Sequence, residues 1–244
     1  MNQQAHNHEP RTTNYDLSSQ RDEIKNLFSE IATRYELANH LLCGGLDLWW
    51  RHVTAREVAK QKPHLILDVA TGSGDLAVAL LKKISTAQIT GVDFCEEMLA
   101  EAAKKKIPAL TLVTADGLAL PFPDESYNAV TIAFGLRNME SWEKGLHEMN
   151  RVLRRGAPIF ILDFSLPTLP LLKPLYRFYL HHILPRFAGL ITGRSEAYSY
   201  MADSIEKFPS GKKMCSLLEQ CGFERATFKP MTFGVVTLYV AVKG

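Results

Sequence analysis

The segment LDVATGSGD, residues 67–75, constrains the fold of this chain more than any other. Apolar Leu65, Ile66 and Leu67 lead into it, and the helical pattern LAVALLKKI follows. A buried strand that turns through closely spaced glycines into a helix is a nucleotide-binding unit. The turn lets a ligand approach backbone N–H groups at a helix N-terminus. Thr71, Gly72, Ser73 and Gly74 are its candidate contacts. Gly72-Ser73-Gly74 with Ala77 spells G-x-G-x-x-A, which suits either a dinucleotide or S-adenosylmethionine.

The flanking chain sets this unit in a larger sheet. Short apolar runs predict strands over 65–70, 88–93, 110–115, 129–134 and 158–164. Helical patterns predict helices over 47–60, 75–84, 96–105 and 142–153. Such alternation gives an α/β fold with a mostly parallel sheet covered on both faces. A helix over 212–221 and two strands, 223–230 and 235–242, close the chain as an antiparallel hairpin. Residues 21–62 read as an N-terminal helical extension and residues 166–208 as a lid insertion without strands. Residues 1–20 are polar and read as a disordered tail. With 244 residues, one large domain over 21–244 accommodates all of this.

Net charge is +2, which gives no reason to expect nucleic-acid binding. The four cysteines form no C-x-x-C pair, so neither a disulfide framework nor a zinc site is expected, and a reduced, cytoplasmic setting is favoured. No apolar run reaches the roughly 20 residues that span a bilayer.

Acidic residues choose between the two nucleotides. Asp75 opens the helix after the glycines, where a carboxylate repels a pyrophosphate and suits a cationic ligand. Asp68 lies at the end of the preceding strand. Asp93 ends the next strand, placed to accept from ribose hydroxyls. Asp116-Gly117 follows the third strand, where an acid can accept from an adenine amino group. Three acids along the carboxyl edge of one sheet favour S-adenosylmethionine over NAD, and an NAD-linked oxidoreductase is the alternative of a different class.

Further motifs sharpen the reading: F-x-x-I-A-x-x-Y over 28–35, LPFPDESYNAVTIAFGLRN over 120–138, EMNRVLRRG over 148–156, DFSLP over 163–167 and YSYMADSIEKFP over 198–209. With these the chain resembles the quinone-ring C-methyltransferases of menaquinone and ubiquinone biosynthesis, the UbiE/MenG group of class I S-adenosylmethionine-dependent methyltransferases. The resemblance covers roughly residues 21–243. It departs at YELANH (35–40), where the family pattern is Y-D-x-M-N-D.

The resemblance implies a Rossmann-like, seven-stranded sheet. It implies S-adenosylmethionine contacts at Ser73, Asp93, Asp116, Gly117 and Ala133. Its reaction is C-methylation of a polyprenylated quinol, with another small acceptor as the alternative. No metal is required. A ring carbon attacks well only when a neighbouring hydroxyl is ionised, and such hydroxyls titrate near tyrosine, about 10. A cation that holds a phenolate-like oxygen is therefore needed. Arg137, after the FG turn, is the first candidate, with Asn138 to orient ring or water. Tyr35 and Asn39 lie one turn apart to close over the substrate, and Asp163 or His40 is a candidate proton acceptor. Residues 166–194 alternate leucines and aromatics with basic residues, a pattern suited to transient contact with an anionic membrane. A homodimer and a peripheral position at the inner membrane face fit the same reading.

Overall fold

The computed structural model describes residues 40, 43–192 and 196–244. The predicted tail, residues 21–39 and 41–42 of the predicted helical extension (Tyr35 and Asn39 among them) and Arg194 lie outside the described residues.

The strands are β1 (Leu65–Val69), β2 (Gln88–Asp93), β3 (Leu110–Thr114), β4 (Ala129–Ala133), β5 (Pro158–Phe164), β6 (Phe223–Met231) and β7 (Val236–Lys243). They form one seven-stranded sheet in the order β3-β2-β1-β4-β5-β7-β6. The first five pair in parallel. β7 runs antiparallel to both β5 and β6, as the terminal hairpin requires.

Period 2 explains why both faces are covered. In β1, Ile66 joins one core while Leu67 and Val69 join the other. In β5, Phe160, Leu162 and Phe164 face the first core, and Ile159 and Ile161 the second. Each face thus needs its own helical layer. On the first face lie α1 (Leu46–Ala59) and α2 (Asp75–Leu81), contributing Trp50, Ala55, Val58, Leu76, Ala77 and Leu80. α4 (Trp142–Val152) and α8 (Lys212–Gln220) cover the second with Leu146, Met149, Met214 and Leu218. α3 (Glu96–Lys104) lies between β2 and β3 in sequence.

The strands over 65–70 and 129–134 each stop one residue short of the expected end. Ala70 and Phe134 have φ of 51° and 60°, which turns the chain sharply where both strands reach the carboxyl edge. Neither is glycine, so the sequence carried no mark of these bends.

The segment expected to be a lid is helical, as α5 (Leu172–Phe178), a π-helical turn (Tyr179–Ile183), α6 (Leu184–Thr192) and α7 (Glu196–Lys207). Leu180, Leu184, Ala202 and Ile205 anchor it to the first core. Its other side leaves Leu171 87% exposed, with Leu175, Phe178 and Phe187 also exposed. Among the described residues no helix is long and apolar enough to cross a membrane.

Candidate active site

A cleft of about 990 Å³ opens at the carboxyl edge of the sheet. A second chamber of about 530 Å³ adjoins it and shares the wall residues Ala70, Asp93, Phe94, Gly135 and Asn138.

The glycine turn is built by the acids around it. Asp68 is buried within β1, and its two oxygens accept the hydroxyls of Thr131 (2.6 Å) and Thr71 (2.7 Å). It thus ties β4 to the turn. Asp93 accepts the N–H of Gly72 on Oδ2 (2.9 Å) and that of Cys95 on Oδ1 (3.0 Å). The Phe94 N–H is a third backbone donor to the same carboxylate. Asp116 accepts from the Leu118 N–H (2.9 Å) and holds the 116–118 turn. Asp68, Thr71, Gly72, Ser73, Asp93 and Ala133 line the first cleft, and Asp93, Asp116 and Gly117 the second chamber.

Gly74 lines neither cavity. It caps α2 with φ 81°, a left-handed backbone that favours glycine, while an added Cβ would meet only ordinary contacts, 3.4 Å from the Ala102 Cβ. Asp75 does line the cleft, but it pairs with Lys105 and faces Arg51 at 3.8 Å. Burial would raise its carboxyl, yet Arg51 and Lys105 hold it below the usual range. Its expected preference for a cationic ligand is therefore largely met by the protein's own cations.

Burial pushes the Asp68 carboxyl up to about 6, although the Thr131 and Thr71 hydroxyls pull it down. The ordinary value is 3.8, so this group's contribution to stability is whole below about pH 4 and lost as pH rises through 6. Asp68→Asn removes the dependence. Urea unfolding should show the variant gaining about 2 kcal/mol on the wild type between pH 4 and pH 7. A difference that stays flat with pH contradicts the assignment.

Arg137 sits in a 3-10 turn (Leu136–Asn138) after β4. Its side chain is 3% exposed, and Nη1 donates to Asp163 Oδ1 at 2.9 Å. Its backbone N–H donates to Asp163 Oδ2 (3.2 Å), and its guanidinium lies 5.2 Å from the Phe164 ring centre. Arg137 and Asn138 both line the cleft. Among the described residues, Asn138 Oδ1 is buried without a hydrogen-bond partner, which leaves an acceptor for a ligand or water. Asp163 lies behind Arg137, 0% exposed and outside the cleft lining. Burial raises its carboxyl against the pull of Arg137. It is placed to fix Arg137 and not to meet a substrate proton.

Sequence reasoning missed the wall opposite. Asp47 and Arg51 project from α1, and both line the cleft with Cys43, Phe134, Phe164 and Met201. Asp47 Oδ2 accepts from Arg51 Nη1 (2.6 Å) and meets His40 Nδ1 (2.6 Å). The fold brings His40, Asp47 and Asp75 within 4.8 Å of one another, a grouping that could hold a metal ion and that no sequence spacing revealed. Arg51 and Lys105 already serve its carboxylates. Arg51 also stacks over Phe134, 5.1 Å from the ring centre. Burial and the charge of Asp47 push the Cys43 thiol up to about 12, so it stays neutral in the cleft.

A family model described as the ubiE/COQ5 methyltransferase family matches residues 15–243. A demethylmenaquinone methyltransferase of Chlorobaculum parvum is 41% identical over 227 residues, 91% of this chain and 93% of that protein. A ubiquinone/menaquinone biosynthesis C-methyltransferase UbiE of Syntrophotalea carbinolica is 43% identical over 216 residues, 87% of this chain and 91% of that one. A solved SAM-dependent methyltransferase from Thermotoga maritima, described as a possible histamine N-methyltransferase, shares the fold at 16% identity. Its TM-score is 0.61, over 90% of this chain and 99% of that chain. On the family match and these identities, this chain belongs to the ubiE/COQ5 methyltransferase family.

Proposed function

We propose that this chain methylates a ring carbon of a polyprenylated quinol, with S-adenosylmethionine as methyl donor. The observation that carries this reading is the meeting, in one cleft, of a nucleotide-binding turn with a buried guanidinium and an acceptor lacking a partner: Arg137 and Asn138 Oδ1. The donor supplies an electrophilic methyl group on a sulfonium. Ser73, with the turn residues Thr71 and Gly72, faces its methionine end. Asp93 accepts from the ribose hydroxyls, and Asp116 and Gly117 border the chamber for the adenine. Ala133 lies at the end of β4, where the two substrates meet.

Arg137 is the centre of the chemistry. Its positive charge lowers the pKa of a quinol hydroxyl beside it and holds the oxygen as charge develops. Arginine is not a base under these conditions, so the proton leaves through water, which Asn138 Oδ1 is free to orient. Asp163 is a positioning residue: its ion pair and its bond to the Arg137 backbone fix the guanidinium.

Two assays test the reading. Calorimetry should show S-adenosylhomocysteine bound and NAD not bound; the reverse supports an oxidoreductase. Turnover under reducing conditions on demethylmenaquinol and on the methoxy-benzoquinol precursor of ubiquinone identifies the ring. Label in neither, with the donor product still bound, rejects quinols as acceptors.

The lid supplies the tail-binding and membrane-facing surface in this reading. Leu171, Leu175, Phe178 and Phe187 are exposed, with Lys173, Arg177 and Arg186 on the same helices. Apolar side chains interleaved with cations bind anionic bilayers reversibly. Phe178→Asp combined with Leu171→Asp should lower co-sedimentation with anionic vesicles several-fold. Equal sedimentation of variant and wild type contradicts membrane contact.

A further inference from the structure

Asp47 has no part in the mechanism above, yet it is the least expected charge in the cleft. It is 2% exposed. Oδ2 is fully engaged by His40 and Arg51, both at 2.6 Å. Among the described residues, Oδ1 has no hydrogen-bond partner, although it is shielded from solvent. A buried carboxylate oxygen left unsatisfied costs free energy that a ligand donor would recover. Asp47 lines the cleft, and one of its carboxylate oxygens lies within 4.8 Å of one on Asp75, the first residue of α2. That places Asp47 beside the glycine turn, away from the adenine-side chamber, whose walls do not include it.

We propose that Asp47 Oδ1 accepts a hydrogen bond from the α-ammonium group of the methyl donor's amino-acid end. This rests on the donor reading above and adds a residue to it. The local charges suit an α-amino acid, which carries a cation and an anion two bonds apart. Asp47 offers the free acceptor. Arg51 places one terminal nitrogen on Asp47 and the other 3.8 Å from Asp75 Oδ2, so a cation that lines the cleft stands beside the acceptor to attract the α-carboxylate. A free metal ion is a poorer occupant: it needs several ligand atoms, and His40, Arg51 and Lys105 already hold Asp47 Oδ2 and Asp75 Oδ1, whereas one ammonium hydrogen needs only Asp47 Oδ1. His40 holds Oδ2 and so helps to aim Oδ1 at the cleft; the resembled family pattern has an acid at this position.

The test compares three ligands by calorimetry on the full chain: S-adenosylhomocysteine, its analogue lacking the amino group, and 5′-methylthioadenosine, which lacks the whole amino-acid end. In the wild type, removing the amino group should weaken binding about 10- to 100-fold, the usual range for one charge-assisted hydrogen bond. Asp47→Asn should weaken S-adenosylhomocysteine by a similar factor and leave 5′-methylthioadenosine unchanged. In that variant the deaminated analogue should bind nearly as well as S-adenosylhomocysteine. If Asp47→Asn weakens all three ligands alike, Asp47 merely supports the fold and the proposal is overturned. It is also overturned if donor affinity is untouched and only kcat falls, since Asp47 then acts on the acceptor. Should the variant not fold, the wild-type comparison still decides: equal affinity with and without the amino group overturns the proposal. A wild type that binds none of the three overturns the donor reading itself, and this proposal with it.

Discussion

Arg137→Met is expected to lower methyl transfer about 100- to 1,000-fold, the loss typical when a preorganised oxyanion donor is removed. The affinity for S-adenosylhomocysteine should change little, since the proposed donor contacts lie elsewhere. The same substitution leaves Asp163 as a buried carboxylate, 0% exposed and without its cation. Breaking a buried pair in this way costs about 3–5 kcal/mol, which corresponds to roughly 10 °C in Tm for a chain of this size. The two effects separate in the double variant. Arg137→Met with Asp163→Asn removes the stranded charge and should recover about 2 kcal/mol while transfer stays lost. If the double variant regained activity along with stability, Arg137 would be a structural residue only. Unfolding in urea and single-turnover transfer, measured on the same samples, read both quantities.

Gly135→Ala is expected to be nearly as damaging, by steric means. A Cβ at position 135 would stand 2.4 Å from the Ala70 Cβ and 3.3 Å from Ile132 Cγ1. The Ala70 Cβ is fixed to a backbone that turns with φ 51°, so no side-chain rotation relieves the contact. Overpacking of this kind costs about 3 kcal/mol. Relief requires the turn after β4 to move away from the turn after β1, which carries Arg137 and Asn138 out of place. Transfer should therefore fall about tenfold or more even in the folded fraction, because small misplacements of reacting groups are costly. Gly156→Ala is the control. That glycine has φ 71° and nothing within 4 Å of an added Cβ, so only the left-handed backbone penalty of about 1 kcal/mol applies, with transfer per folded molecule unchanged. Equal losses at both positions would mean that the Ala70 contact is not limiting.

Parts of this site were plain in the sequence because they rest on local periodicity. The run into LDVATGSGD, the acid that ends β2 and the Asp-Gly after β3 each sit where a strand meets a turn, and strand period alone brings them to one edge. Motifs such as EMNRVLRRG are legible for a different reason. Arg151 bonds the carbonyls of Leu120 and Phe122 and pairs with Glu148 and Asp124. It stitches α4 to the 120–124 loop, so that motif records architecture more than chemistry.

What stayed hidden depends on contacts between distant residues. Asp163 lies in the apolar run PIFILDF and invites a catalytic reading, but its cation is 26 residues away in sequence. Asp47 and Arg51 have the i, i+4 spacing of an ordinary surface pair. Only the packing of α1 on α2 turns them towards the cleft. Gly74 reads as part of the ligand turn, and its actual constraint is its own left-handed backbone, φ 81°, at the start of α2.

The most direct test of the whole account follows a 13C-labelled methyl group from S-adenosylmethionine into product, with demethylmenaquinol and the methoxy-benzoquinol precursor offered in turn under reducing conditions. Label is expected on a ring carbon of at least one of them, by NMR, and should be lost in Arg137→Met. Label on oxygen, or no transfer to either quinol by a chain that binds S-adenosylhomocysteine, would contradict it.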